Sequence, residues 1–148
     1  MKVRRVAAAD DPAGAITLLQ RFFAEEGFAT PDETIAANAR RMLAIDSCAL
    51  FVAEAGGEAI GVATVSMEFG IEYGWSAEMG DLYVRPDWRG QGVARALVAA
   101  VEAHLRENGA SGYQVTLTPI GEGVHGLSRF YRALGFSSEG RVILHRAL

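Results

Sequence analysis

At 148 residues the chain fits one domain, and a composition half hydrophobic and 22% charged suits a globular protein with a sizeable core. A net charge of −4 excludes the basic footprint of a nucleic-acid binder, while remaining compatible with a cationic substrate. The one cysteine, Cys48, excludes an internal disulfide and a cysteine-based zinc cluster, and no apolar run reaches transmembrane length.

In chain order, residues 3–6 predict a short first strand. Asp10 and Asp11 interrupt the apolar run after it, so no secretory signal is expected and the protein is placed in the cytoplasm, with no membrane partner. Asp10 or Asp11 can cap a helix that has Pro12 near its first turn. Ala15, Leu18, Leu19, Phe22 and Phe23 give that helix its apolar stripe, and Glu25-Glu26-Gly27 ends it. Thr30, Pro31 and Glu33 read as a capping box opening a second helix, whose buried face is Ile35, Ala39, Met42 and Leu43. Residues 49–55 and 60–69 are strand-like and are joined at Gly56-Gly57-Glu58, a hairpin signal. Cys48, beside the first of these strands, reads as a small buried thiol.

A Gly/aromatic segment, residues 70–75, leads into a strand ending at Val84, which Pro86 stops. A helix then starts near Val93, with Val93, Leu97, Ala100, Val101, His104 and Leu105 at helical spacing, and ends at Asn108-Gly109. Tyr113, Val115 and Leu117 alternate with Gln114, Thr116 and Thr118 in a strand stopped by Pro119. Residues 121–123 read as a loop. A last helix follows, carrying Leu127, Phe130, Tyr131 and Leu134 and stopping at Gly135, and residues 141–148 read as a final strand. The pattern predicts one α/β domain: a mixed, mostly antiparallel sheet flanked by helices.

The strand ending at Val84, the turn Arg89-Gly90-Gln91-Gly92 and the helix beginning at Val93 together make an anion site. Glycines let backbone approach a ligand, successive N–H groups point at phosphate oxygens, and the helix dipole favours negative charge. A nucleoside-triphosphate loop would need Lys-Ser or Lys-Thr after Gly92, and a dinucleotide turn would need glycine where Arg95 stands. The string from Asp81-Leu82-Tyr83-Val84 through Pro86 and Arg89-Gly90-Gln91-Gly92-Val93-Ala94 to Leu97 instead resembles the acyl-CoA-binding motif of the GCN5-related N-acetyltransferases (GNAT). That motif reads Arg/Gln-x-x-Gly-x-Gly/Ala, here Arg89, Gly92 and Ala94. Phe130-Tyr131-Arg132-Ala133-Leu134-Gly135-Phe136 is similar to the last helix of that family and the turn after it.

The resemblance implies a single N-acetyltransferase domain over residues 1–148. The strands at Val84 and Tyr113 would run parallel and splay apart around the pantetheine arm, with Gln114 or Thr116 facing the arm. Acetyl-CoA would be the donor, held by Leu82, Tyr83, Val84, Arg89, Gly90, Gln91, Gly92, Val93, Ala94 and Arg95, with no metal. A primary amine would attack directly in a ternary complex. A small cationic acceptor, aminoglycoside- or polyamine-like, is favoured over a protein amine. Phe23, Glu26, Glu72, Tyr73 and Trp75 would line the acceptor pocket, and a homodimer is compatible with this arrangement.

An amine attacks only when neutral, so a base is needed. The resemblance implies that a backbone N–H of Leu82, Tyr83 or Val84 faces the developing oxyanion and that Tyr131 protonates the leaving thiolate. Many relatives carry an acidic residue at the position of Gly80; here Glu78 is the first choice of base and Asp81 the second. Strand alternation groups Glu78 with Gly80 and Leu82, and Asp81 with Met79 and Tyr83. The alternative to an enzyme is an acyl-CoA-binding sensor without catalysis.

Overall fold

A computed structural model describes residues 1–148, which form two compact units, Met1–Thr116 and Leu117–Leu148. The first unit holds the sheet. β1 (Lys2–Arg5), β2 (Cys48–Ala55), β3 (Glu58–Gly70), β4 (Gly74–Val84) and β5 (Tyr113–Gln114) lie in sequence order. Every pair is antiparallel except β4 with β5, which is parallel.

Helices α1 (Ala13–Glu26) and α2 (Asp32–Met42) cover one face of the sheet, and α3 (Val93–Glu107) packs on β1 to β4. Leu50, Val52, Val62 and Tyr83 turn towards α1 and α2, where they join Val6, Ala15, Ile16, Leu18, Leu19, Ile35 and Ala39 in one buried cluster. The alternate residues face α3. A Cβ at Gly61 would lie 2.9 Å from Val93 and 3.0 Å from Leu97, so glycine is required where α3 crosses β3. Coverage on both faces explains why the middle of β2 and β3 is a continuous apolar run with no polar alternation.

Several local expectations change. α2 is capped by Pro31, with Asp32 first in the helix and no side-chain cap, so Thr30 does not complete a capping box. Asp32 and Glu33 in the first turn, with Arg40 and Arg41 in the last, favour the helix dipole instead. At α1 the Asp11 carboxylate accepts the Ala13 N–H (3.0 Å), while Asp10 turns back to Ala7 and Arg4. Cys48 is half-buried, with Sγ 3.6 Å from Ser66 Oγ.

The second unit contains α4 (Pro119–His125) and α5 (Leu127–Ala133), separated by Gly126 in the left-handed region (φ 58°). Residues 121–123, expected as a loop, lie inside α4, because the Thr118 hydroxyl caps it by accepting the Gly121 N–H (3.0 Å) and Pro119 suits the first position. Glu122 accepts the N–H and hydroxyl of Ser128, which fastens α4 to α5. The expected last strand does not form. Residues 141–148 join no ladder, and Val142, Ile143 and Leu144 are exposed. Strand propensity needs a partner strand to act on, and the sheet ends at β5.

Candidate active site

The expected alternation along β4 breaks at Gly80. Val65 pairs with Met79 but Thr64 pairs with Asp81, so Gly80 is an extra residue, a β-bulge. Thr64 and Val65 point to opposite faces, and their partners must as well. Asp81 is thereby moved off the face of Met79 and onto that of Glu78, which pairs with Ser66. The grouping read from plain alternation is corrected: Glu78, Asp81 and Tyr83 share one face. A side chain at Gly80 would start 3.4 Å from the Thr64 hydroxyl.

The two carboxylates differ in setting. Asp81 is half-buried; the Thr64 hydroxyl donates to its Oδ2 at 2.5 Å and accepts its backbone N–H at 3.1 Å. Burial raises the Asp81 carboxyl above the usual range, the Thr64 hydrogen bond opposes this, and the charge of Glu78 adds to the rise. Glu78 is exposed and accepts a hydrogen bond from Thr116 Oγ1 (3.1 Å).

Parallel pairing of β4 with β5 covers only Ala77 with Tyr113 and Glu78 with Gln114, although residues 113–118 were expected to be strand. β4 runs on to Val84. The Arg85 N–H donates to Ile60 O on the β3 side (3.0 Å). Alternate N–H groups of a strand point the same way, so those of Leu82 and Val84 turn to the side where β5 pairing has ended. Tyr83 turns its N–H towards β3, and this narrows the expected oxyanion donors.

A single 3₁₀ turn, Pro86–Trp88, leads to the glycine turn. Gly90 and Gly92 have φ of 73° and 83°, and nothing lies within 4 Å of a Cβ built at either. Backbone conformation demands the glycines, and the space over them is open to a ligand. Gly92 caps α3, whose first turn has no acidic residue to compete for the free N–H groups of Val93, Ala94 and Arg95. The Gln91 amide donates to Asp87 O (3.0 Å) and Arg89 Nε to Val84 O (2.9 Å), so both side chains tie the turn to backbone carbonyls. These features fit a pyrophosphate.

The residues expected around the acceptor fall in two places. Phe23 and Glu26 are near the end of α1; Phe23 packs on Phe22 and Phe28, and Glu26 is buried. Glu72 and Tyr73 are in the β3–β4 turn, and Trp75, exposed, stacks edge-on to Phe69. In the second unit Tyr131 is buried between the rings of Phe130 (5.1 Å) and Phe136 (5.2 Å), and burial pushes its phenol up to about 12. Sequence reasoning missed Thr64 and the contacts that Glu25 makes. Glu25 accepts hydrogen bonds from Tyr83 and Arg89, a contact across the chain that no local pattern announces.

A mixed sheet with a parallel pair parting beside a glycine turn at a helix start is the frame of an acyl-CoA-dependent transferase. Residues 12–136 match the Acetyltransferase (GNAT) family, and the chain belongs to it. It is an N-acetyltransferase with acetyl-CoA as donor. Among its relatives, an aminoglycoside N(6')-acetyltransferase type 1 of Salmonella typhimurium is 32% identical over 123 residues, covering 78% of this chain and 81% of that protein. A protein of the same name from Stenotrophomonas maltophilia is 37% identical over 103 residues, 66% of this chain and 65% of that one. The solved structure of aminoglycoside N-acetyltransferase AAC(6')-Iy in complex with CoA superposes with a TM-score of 0.84 at 25% identity, covering 99% of this chain and 93% of that one. No helix of the chain is long and apolar enough to cross a membrane.

Proposed function

We propose that residues 1–148 work as one N-acetyltransferase domain that acetylates the 6′-amino group of an aminoglycoside. The observation that carries the acceptor is the 32% identity over 78% of the chain to an aminoglycoside N(6')-acetyltransferase. The carboxylate-bearing face of β4 supports it, because a polycationic sugar brings ammonium groups that need both attraction and a base.

Glu78, exposed and hydrogen-bonded by Thr116, takes a proton from the ammonium, directly or through water. The freed amine attacks the thioester carbonyl carbon, forming the C–N bond, and charge passes to the carbonyl oxygen. The N–H of Leu82 or Val84 faces that oxygen. Collapse breaks the C–S bond, and the thiolate takes the phenolic proton of Tyr131. The amide nitrogen sheds its remaining extra proton, which restores the phenol. Asp81, held by Thr64, adds negative charge to the same face.

The test is thiol release from acetyl-CoA with an aminoglycoside panel, a polyamine and a peptide amine as competing acceptors, followed by NMR location of the acetyl group. Acetylation at the 6′ position is the expected result. Turnover of the polyamine or peptide with every aminoglycoside inert would remove the assignment.

A further inference from the structure

Glu25, in the last turn of α1, receives two hydrogen bonds that tie three segments together. The Tyr83 hydroxyl donates to Oε1 (2.8 Å) from the end of β4, and Arg89 Nη2 donates to Oε2 (2.7 Å) from the glycine turn. The Arg89 guanidinium also lies 5.5 Å over the Tyr83 ring and sends Nε to Val84 O at 2.9 Å. Phe22, three residues earlier on the same face of α1, packs against the same tyrosine ring at 5.9 Å. Burial, then the neighbouring Glu25 carboxylate, raises the Tyr83 phenol, so it stays a donor to Glu25.

We propose that Glu25 is a positioning residue for the cofactor turn: it anchors Arg89 and Tyr83 so that the end of β4 and the start of α3 are held at the spacing a pyrophosphate needs. The inference rests on the reading that this turn binds acyl-CoA. Its content is specific. The charge of Arg89 is already matched by Glu25, so Arg89 acts as a strut, and phosphate recognition falls to the backbone N–H groups at the start of α3. Two contacts from one carboxylate to two different elements fix a distance that neither contact fixes alone.

The experiment is titration of coenzyme A into the whole protein at low and high salt, with steady-state kinetics and melting measured on the same samples. Glu25→Gln should weaken coenzyme A and raise KM for acetyl-CoA by about tenfold, the size of one charge-assisted contact, while kcat stays within about twofold. The salt dependence of Kd should not change, because no phosphate-neutralising charge has been lost. Tyr83→Phe keeps the ring under Arg89 and loses only the hydroxyl, and should weaken coenzyme A by about two- to threefold. Equal binding by Glu25→Gln and parent would reduce Glu25 to a surface ion pair. Tighter binding would make it a competitor for an arginine that reads phosphate. Either overturns the proposal. If Glu25→Gln does not fold, Glu25→Asp, too short to reach both partners, decides by the same comparison. A parent that binds no coenzyme A overturns the reading of the turn itself.

Discussion

The Thr64 hydroxyl donates to the Asp81 carboxylate and accepts the Asp81 backbone N–H, closing a two-bond clasp across the bulge at Gly80. A bulge leaves an extra residue outside the ladder. Here the hydroxyl supplies what the ladder does not, and it turns Asp81 towards the face that carries Glu78.

Asp81 makes stability depend on pH. Its folded carboxyl titrates above the ordinary 3.8, chiefly through burial, so the folded state binds the proton more tightly than the unfolded chain. This contribution is fully present below the unfolded value and is lost as pH rises through the raised folded one. Asparagine mimics the neutral acid. Asp81→Asn should therefore gain stability relative to the parent towards neutral pH and converge with it towards about pH 4. Denaturation curves of both proteins across that range measure the gap, and a gap independent of pH would contradict the raised titration.

Removing the clasp should be costly. Thr64→Val keeps the shape and removes the hydroxyl, which leaves the Asp81 N–H and carboxylate each short of a partner. The expected loss is about 1–3 kcal/mol near neutral pH, smaller in acid, with the Asp81 titration shifted further upward. Chemical denaturation and carboxyl-carbon NMR check the two parts separately.

If Glu78 takes the amine proton, Glu78→Gln should lower kcat near neutral pH by about 10²- to 10⁴-fold and leave coenzyme A affinity intact. Activity should partly return at higher pH, where more of the amine is neutral in solution. A full-rate variant would pass the role to Asp81 or to water.

For Tyr131, replacement by phenylalanine keeps the ring contacts with Phe130 and Phe136 and removes the only group able to give a proton. Burial holds the phenol up at about 12, so it remains a protonated donor at working pH. Tyr131→Phe should melt with the parent and lose about ten- to ten-thousand-fold in acetyl transfer. An unchanged rate, with thiolate departure as the chemical step, would leave Tyr131 a packing residue.

At Gly92 two substitutions separate strain from occlusion. With φ at 83° and open space around the built Cβ, Gly92→Ala should cost about 1–2 kcal/mol of stability from conformation alone. Gly92→Asp adds negative charge where phosphate oxygens would sit. It should abolish most of the melting shift given by acetyl-CoA, a shift that reflects binding to the native state. Equal shifts in Asp variant and parent would dissociate the turn from the cofactor.

The sequence by itself determined what lies within reach of a single residue's neighbours. The apolar stripes of α1 and α3, the stop at Pro86 and the two left-handed glycines before Val93 are local, because helical period and backbone φ are set over a few residues. The glycine turn was therefore legible together with its helix. Tertiary structure decided everything that depends on register. Alternation assigns Asp81 to the face of Met79 only while the ladder is regular, and the partner strand β3 shows Gly80 to be a bulge that reverses it. Likewise β5 shortens to Tyr113–Gln114, and residues 141–148 stay out of the sheet, because a strand exists only where another strand accepts its hydrogen bonds. The clasp at Thr64 and the anchor at Glu25 join residues far apart in the chain, and such contacts have no period to read.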